Sequence, residues 1–288
     1  MSHHTLQKLV VRMLFDEEFV EEVYAAPDRT LARLDLTEAE QRQLLSIDRR
    51  AWRHDTLRRR RTLRTLVEEF KVSTTIILAE TRSLASLEGF FSSQFFHRSV
   101  QERASMGLAF AEFLLDGCRQ GMWKAPQIPD VVRLEAAIAE CRRTLAREGN
   151  YEAGETPATI SDRARVKLAP GYDVAGFQAN VIETIQRVEQ YLFELSLMPA
   201  MALCDDAPRL SGLPEADQQK KVYLLFGPGA AGISITNLEK SDFLVLYETK
   251  REVEIKSLLS RFETARVRAR RAQDIIAEWL ENGALMIV

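Results

Sequence analysis

Cysteine, histidine and long apolar runs are scarce in this chain, and each shortage removes a class of function. Its 288 residues hold three cysteines, Cys118, Cys141 and Cys204. They are too few and too widely spaced for a disulfide framework, and they show no metal-ligand spacing. They read as reduced thiols of a cytoplasmic protein. The four histidines are His3, His4, His54 and His97. None stands at ligand spacing from a carboxylate or a second histidine on a shared face; His54 and Asp55 are adjacent, but neighbours diverge on a helix. Residues 221–288 contain neither His nor Cys, which excludes a His-ligand or Cys-nucleophile site there. No apolar stretch approaches the roughly 18 residues a membrane helix needs. The most apolar one, Tyr191 to Cys204, is broken by Glu194 and Pro199. The N-terminus has no hydrophobic signal core. The net charge of −3 gives no global attraction to nucleic acid or to a membrane surface. A P-loop and a G-x-S-x-G elbow are both missing. No catalytic constellation remains, and the expectation is a binding or accessory role with no cofactor in this chain.

The length suggests about two domains at roughly 150 residues each. The first half reads as helices. Leu6, Leu9, Val10 and Met13 recur at helical spacing, and Phe19, Val20 and Val23 continue the face after Asp16. Thr37-Glu38-Ala39-Glu40 and Ser99-Val100-Gln101-Glu102 are capping boxes. A stretch from Arg50 to Ala85 has neither Gly nor Pro and reads as one long helical region. Val131, Leu134, Ile138, Cys141 and Leu145 form another stripe, with Gly149 as its C-cap. Composition shifts at Asn150–Pro157, which places a boundary there: a helical domain over 1–150 and a C-terminal domain over 151–288.

In the second part, Val166–Ala169 reads as a strand. Val174, Phe177, Val181, Ile185, Val188 and Leu192 read as one amphipathic helix capped by Asp173. Val222–Phe226 and Ile233–Ile235 read as a hairpin around Gly227–Gly232. Gly227, Gly229 and Gly232 spell G-x-G-x-x-G, but between two strands, without the helix N-terminus that dinucleotide binding needs. Thr236-Asn237-Leu238-Glu239 reads as a third capping box. Three helices follow, through Phe243 and Leu246, through Ile255 and Leu258, and through Ile275 and Trp279. Ala284–Val288 closes as a strand. The predicted class is mainly α (α+β), with a helical domain followed by a winged-helix-like C-terminal domain.

Two basic patches stand out. Eight arginines fall between Arg49 and Arg64. At 100° per residue, Arg50, Arg53, Arg61 and Arg64 share one face, with Trp52, Leu63, Leu66 and Phe70 opposite. Such a stripe is either a solvated face paired with carboxylates or a docking surface for an acidic partner; Arg53, Arg60, Arg61 and Arg64 are its candidates. The second patch, Arg266, Arg268, Arg270 and Arg271, opens the third helix of the winged unit. That is where a DNA-binding winged helix places recognition residues, and where a peptide-binding one lines its groove. Glu252, Glu254, Glu263, Asp274, Glu278 and Glu281 make this surface mixed in sign, so nucleic acid is not the expected partner.

The strings ITNLEKSDFLVLYETKREVEIKSLLSRF and AQDIIAEWLENGALMIV resemble the PqqD-like recognition elements of ribosomal peptide natural-product pathways, over about residues 221–288. RVKLAPGYDV and KVYLLFGPG, with the helical first half, resemble the TglI-like partner proteins encoded beside multinuclear non-heme iron oxidases. The resemblance implies an accessory subunit that binds a precursor-peptide leader and presents it to an iron-dependent oxidase, with the iron in that partner. It further implies modification of a C-terminal cysteine, as in 3-thiaglutamate biosynthesis. The peptide would add to the edge at Ile233, Ser234 and Ile235, facing Arg268, Arg271 and Ile275. The chain departs from the family pattern in that the first strand of the three-stranded wing is not contiguous with the hairpin; Val166–Ala169 would have to supply this further strand, across a long insertion. The rival readings are a winged-helix transcription regulator with a helical sensor domain, and a scaffold with no peptide ligand.

Overall fold

The computed structural model describes residues 2–32, 34–53, 56–149, 161, 163–198, 208–215, 220–230, 232–264 and 269–288. They form a mainly helical chain with two small antiparallel sheets. Among the described residues no helix is long and apolar enough to cross a membrane. Two compact units are present: Met1–Val132 with Met198–Leu210, and Arg133–Leu197 with Ser211–Val288. The division falls inside helix α11 (Ile128–Glu148), upstream of the connection that the composition marks. Later turns of α11 pack within the second unit. The Arg133 guanidinium lies 6.0 Å from the centre of the Phe177 ring. A Cβ on Gly171, whose φ is +82°, would collide with the Leu145 side chain.

The first unit opens with α1 (Ser2–Phe15), α2 (Glu17–Ala25), α3 (Pro27–Leu31) and α4 (Glu38–Leu45). Asp16 caps α2, accepting from the Phe19 amide at 3.0 Å. The Thr37 capping box forms as the sequence predicts, with Glu40 reaching back to the Thr37 amide at 2.8 Å. The Arg50–Ala85 region is not one helix. It divides into α5 (Arg49–Arg53), α6 (Thr56–Glu69), α7 (Lys71–Thr81) and a short α8 (Ala85–Glu88). Between α6 and α7 the backbone leaves the helical region at Phe70, whose ring is wholly buried. Burying that ring outweighs an unbroken run of good helix formers.

The Ser99 capping box does not form. Ser99 lies inside α9 (Gln94–Glu102) and donates to the Phe96 carbonyl at 2.8 Å. Ser93 caps α9, and Ser105 caps α10 (Met106–Arg119). The helix begins earlier than the local motif suggests because it carries Phe96 into an aromatic core. That core centres on Phe90, in a 3-10 turn over Gly89–Ser92. Its ring centre lies 5.1–5.7 Å from those of Phe91, Phe96, Phe110 and Phe113. Gly117 sits so close to Trp123 that any Cβ there would strike the indole ring.

The second unit holds β1 (Arg165–Leu168), β2 (Asp173–Gln178), α12 (Val181–Ser196), β3 (Lys221–Gly229) and β4 (Gly232–Leu238). It continues with α13 (Lys240–Glu248), β5 (Val253–Glu254), α14 (Ile255–Thr264), α15 (Ala269–Glu281) and β6 (Leu285–Ile287). One sheet has the order β2-β3-β4 and the other β5-β1-β6. Two sequence expectations are corrected here. The third strand beside the hairpin is β2, not Val166–Ala169; β1 instead lies between β5 and β6, with Val166 opposite both Val253 and Ile287. Asp173 through Phe177 is strand, and the helix begins only at Val181. The three-residue spacing of Val174 and Phe177 imitates a helix because both faces of this strand are covered. Val174 packs in the core with Leu225 and Val245, and Phe177 meets Phe226 on the other side at 6.1 Å. The Thr236 capping box also fails to form, since β4 runs through it and α13 begins at Lys240 with Glu239 as N-cap.

Candidate functional site

The hairpin closes with Gly229 opposite Gly232 across a two-residue turn. A turn of that length closes on a pair that shares its backbone hydrogen bonds, and such pairs alternate from there. Gly227 with Ser234, Leu225 with Thr236, and Tyr223 with Leu238 are therefore the bonded pairs. Ile233, Ile235 and Asn237 lie between them, opposite Pro228, Phe226 and Leu224. Their N–H and C=O groups point away from β3, along the outer edge of the sheet. The same alternation continues across β3 and β2, where the Ala179 amide donates to the Lys220 carbonyl at 3.0 Å. It also accounts for Pro228, whose missing N–H falls at a position unpaired with β4.

Strand β4 reads GISITNL, seven residues without a charge or a proline. Among the described residues no backbone group pairs with its outer side. Both neighbours of Ser234 are apolar, and Ile235 is 42% exposed. The Ser234 hydroxyl is used within the hairpin, donating to the Gly227 carbonyl at 3.2 Å. Soluble proteins usually blunt such an edge with Lys, Pro or a bulge, because an open edge recruits another strand.

The second basic patch is only partly described. Arg268 lies outside the described residues, and so does the side chain of Arg271. Ile275 does not line an open surface: it is 5% exposed and belongs to the core with Leu246, Leu258 and Ile276. Its position two turns into an amphipathic helix allows either face on sequence grounds, and packing against α13 and α14 takes it inward.

In the first unit the arginines of α6 separate by role. Arg59 turns inward, 3.5 Å from a Glu17 carboxylate oxygen and 5.4 Å from the centre of the Phe91 ring. Arg60, Arg61 and Arg64 are exposed, and the Arg64 side chain keeps 80% of its surface. Arg64 donates to Glu68 at 2.7 Å, one turn on. The Arg53 side chain is outside the described atoms, and Arg53 lies on α5 rather than α6. Leu63, Leu66 and Phe70 are buried as the periodicity requires.

The chain also assembles a group that sequence spacing missed. Asp16 and His97 are 81 positions apart, yet His97 Nε2 lies 2.9 Å from Asp16 Oδ2. The same carboxylate takes the Phe19 amide and, at 3.3 Å, Arg12 Nε. Burial pushes the Asp16 carboxyl upward, but contacts with His97, the Phe19 amide and Arg12 outweigh it and hold it below the usual value. A lowered folded-state value means this carboxylate stabilises the fold above the ordinary carboxylate range. That contribution is lost as pH falls through the folded-state value. Asp16→Asn keeps a competent helix cap. It should cost about 2 kcal/mol at pH 7, and the gap to the wild type should narrow as pH falls below the ordinary carboxylate range in urea titrations. A gap independent of pH would refute the assignment.

Neither described cysteine has the lowered pKa of a reactive thiol. Burial pushes the Cys118 thiol up to about 11, helped by Glu80. Burial, with Asp173 and Glu140, pushes Cys141 up to about 12. Neither forms a thiolate near neutrality. Native alkylation at pH 7.5 followed by peptide mapping should leave both unmodified while denatured protein labels fully. Among the described residues no cluster of three or more His, Cys, Asp or Glu could hold a metal ion.

No family model matches the chain, and no curated protein matches its sequence. Its function is read from its own residues.

Proposed function

We propose that this chain is a non-catalytic accessory subunit that captures the leader of a ribosomally made precursor peptide by strand addition at β4. It then presents the peptide to an iron-dependent oxidase. The observation that carries the reading is the uncharged, exposed edge of β4, with the unpaired backbone groups of Ile233, Ile235 and Asn237. Strand addition draws affinity from main-chain hydrogen bonds and selectivity from side chains beside them. Ile233 and Ile235 offer apolar contact, and Arg268 and Arg271 are the candidates for pairing with leader carboxylates. The order β2, β3, β4, then α13, α14 and α15 is compatible with the PqqD-like resemblance, and a C-terminal cysteine of the peptide is the modification it implies. Arg60, Arg61 and Arg64 form the proposed dock for the acidic surface of the oxidase, with Arg53 on the neighbouring helix.

The test is fluorescence anisotropy with a labelled leader of a ribosomally made precursor peptide, alongside a labelled DNA duplex, at 50 and 200 mM salt. Saturable peptide binding that survives the higher salt supports the reading. Duplex binding that collapses with salt, without peptide binding, would replace it with the winged-helix regulator, since phosphate contacts are strongly salt-dependent. Co-expression with the iron-dependent oxidase proposed as its partner should give one peak in size exclusion. Glu at Arg60, Arg61 and Arg64 together should split it into two.

A further inference from the structure

The first unit carries a half-open pocket of about 410 Å³ beside the Asp16–His97 pair. We infer that it is a binding site for a small organic anion: a carboxylate carried on an apolar chain. The volume lies within the usual range for small-molecule sites, which combine apolar walls with a few placed polar groups. Leu9, Phe19, Leu34, Phe96 and Val100 supply the apolar wall. Lys8, Arg12 and His97 supply the polar side.

The charge arrangement selects an anion. Among the described residues no carboxylate lines this wall, and the oxygens of Asp16, which contacts Arg12 and His97, are already engaged. Oδ1 accepts from the Phe19 amide and lies 3.4 Å from Ser92 Oγ, while Oδ2 accepts from Arg12 Nε and lies 2.9 Å from His97 Nε2. Arg12 is also fixed over the Phe19 ring, 3.6 Å from its centre. Its guanidinium is therefore held in place before any ligand arrives. Lys8 has no ion-pair partner among the described residues, although it lines the cavity. A second cavity of about 250 Å³ shares Lys8 and Val100 and adds Arg103, the left-handed residue that ends α9. Lys8 thus stands between two hollows that contain cationic side chains. A neutral ligand would leave this charge uncompensated, and a cation would meet repulsion. An anion without an apolar body would leave the hydrophobic wall wet.

This site is separate from the edge of β4, and it stands or falls independently of peptide capture. The test is isothermal titration of the full chain with octanoate, octanol, octylammonium and acetate. Octanoate should bind saturably at one site per chain, with the other three at least about tenfold weaker. Lys8→Gln, a change on a partly exposed helix position, should weaken octanoate about tenfold and leave octanol unchanged. Val100→Trp should abolish octanoate binding by filling the apolar side; where it lowers the thermal midpoint, Leu34→Phe serves in its place. Failure of octanoate to saturate, octanol binding as tightly as octanoate, or indifference to Lys8→Gln would each overturn the inference.

Discussion

Phe90→Ala should lower the stability of the first unit by about 3–5 kcal/mol, the range for truncating a fully buried aromatic ring. Phe90 is completely buried, and four other rings contact it edge-on or tilted, the nearest 5.1 Å away between centres. Three elements meet through this ring: the 3-10 turn that carries it, α9 through Phe96, and α10 through Phe110 and Phe113. Removing it takes away apolar transfer energy and the paired quadrupole contacts together, and leaves a void that rigid neighbours cannot close. At about 2–4 °C per kcal/mol for a unit of this size, calorimetry should show a drop of roughly 6–20 °C. Phe193 on α12 is the control: it is 63% exposed, and Phe193→Ala should change stability by less than about 0.5 kcal/mol. A loss under about 1 kcal/mol at Phe90 would mean that the aromatic cluster is not the stabilising core.

Ile235→Pro should weaken binding of the precursor leader by at least about 100-fold while leaving the hairpin folded. The reason lies in the register. Ile235 stands opposite Phe226 at an unbonded pair, so its N–H belongs to the open edge and not to the ladder with β3. Proline deletes that donor from the middle of the docking edge and sets a ring where an incoming strand would lie. Thr236→Pro makes the comparison decisive. Thr236 stands opposite Leu225 at a bonded pair, so its N–H holds β4 to β3. That variant should lose hairpin stability as well as peptide affinity, seen as a lower urea midpoint. Equal leader affinity in wild type and Ile235→Pro would remove β4 as the docking edge. If the chain binds duplex DNA instead, Ile235→Pro should leave that binding nearly unchanged, and charge reversal at Arg268 and Arg271 should abolish it.

Much of this chain can be read from local chemistry. The Thr37 capping box, the buried stripe of Leu63, Leu66 and Phe70, the hairpin and the closing strand each depend on neighbours within a few positions. Turn, cap and periodicity rules act over that same range, so these elements declare themselves. Other features belong to tertiary structure alone. Asp173–Gln178 has helical spacing yet forms a strand, because β3 supplies its ladder and both of its faces are covered. β1 pairs with strands about 90 and 120 positions downstream, which no local pattern encodes. Ile275 turns inward because helices packed from two sides claim it. His97 acquires a carboxylate partner only when α9 meets the junction of α1 and α2, where Asp16 stands 81 positions earlier. By itself, the sequence determined which segments are apolar, where turns can form, and that residues 221–288 hold no His or Cys chemistry. Tertiary structure decided which strand edge stays open and which charges surround a cavity. Both depend on what long-range packing leaves uncovered.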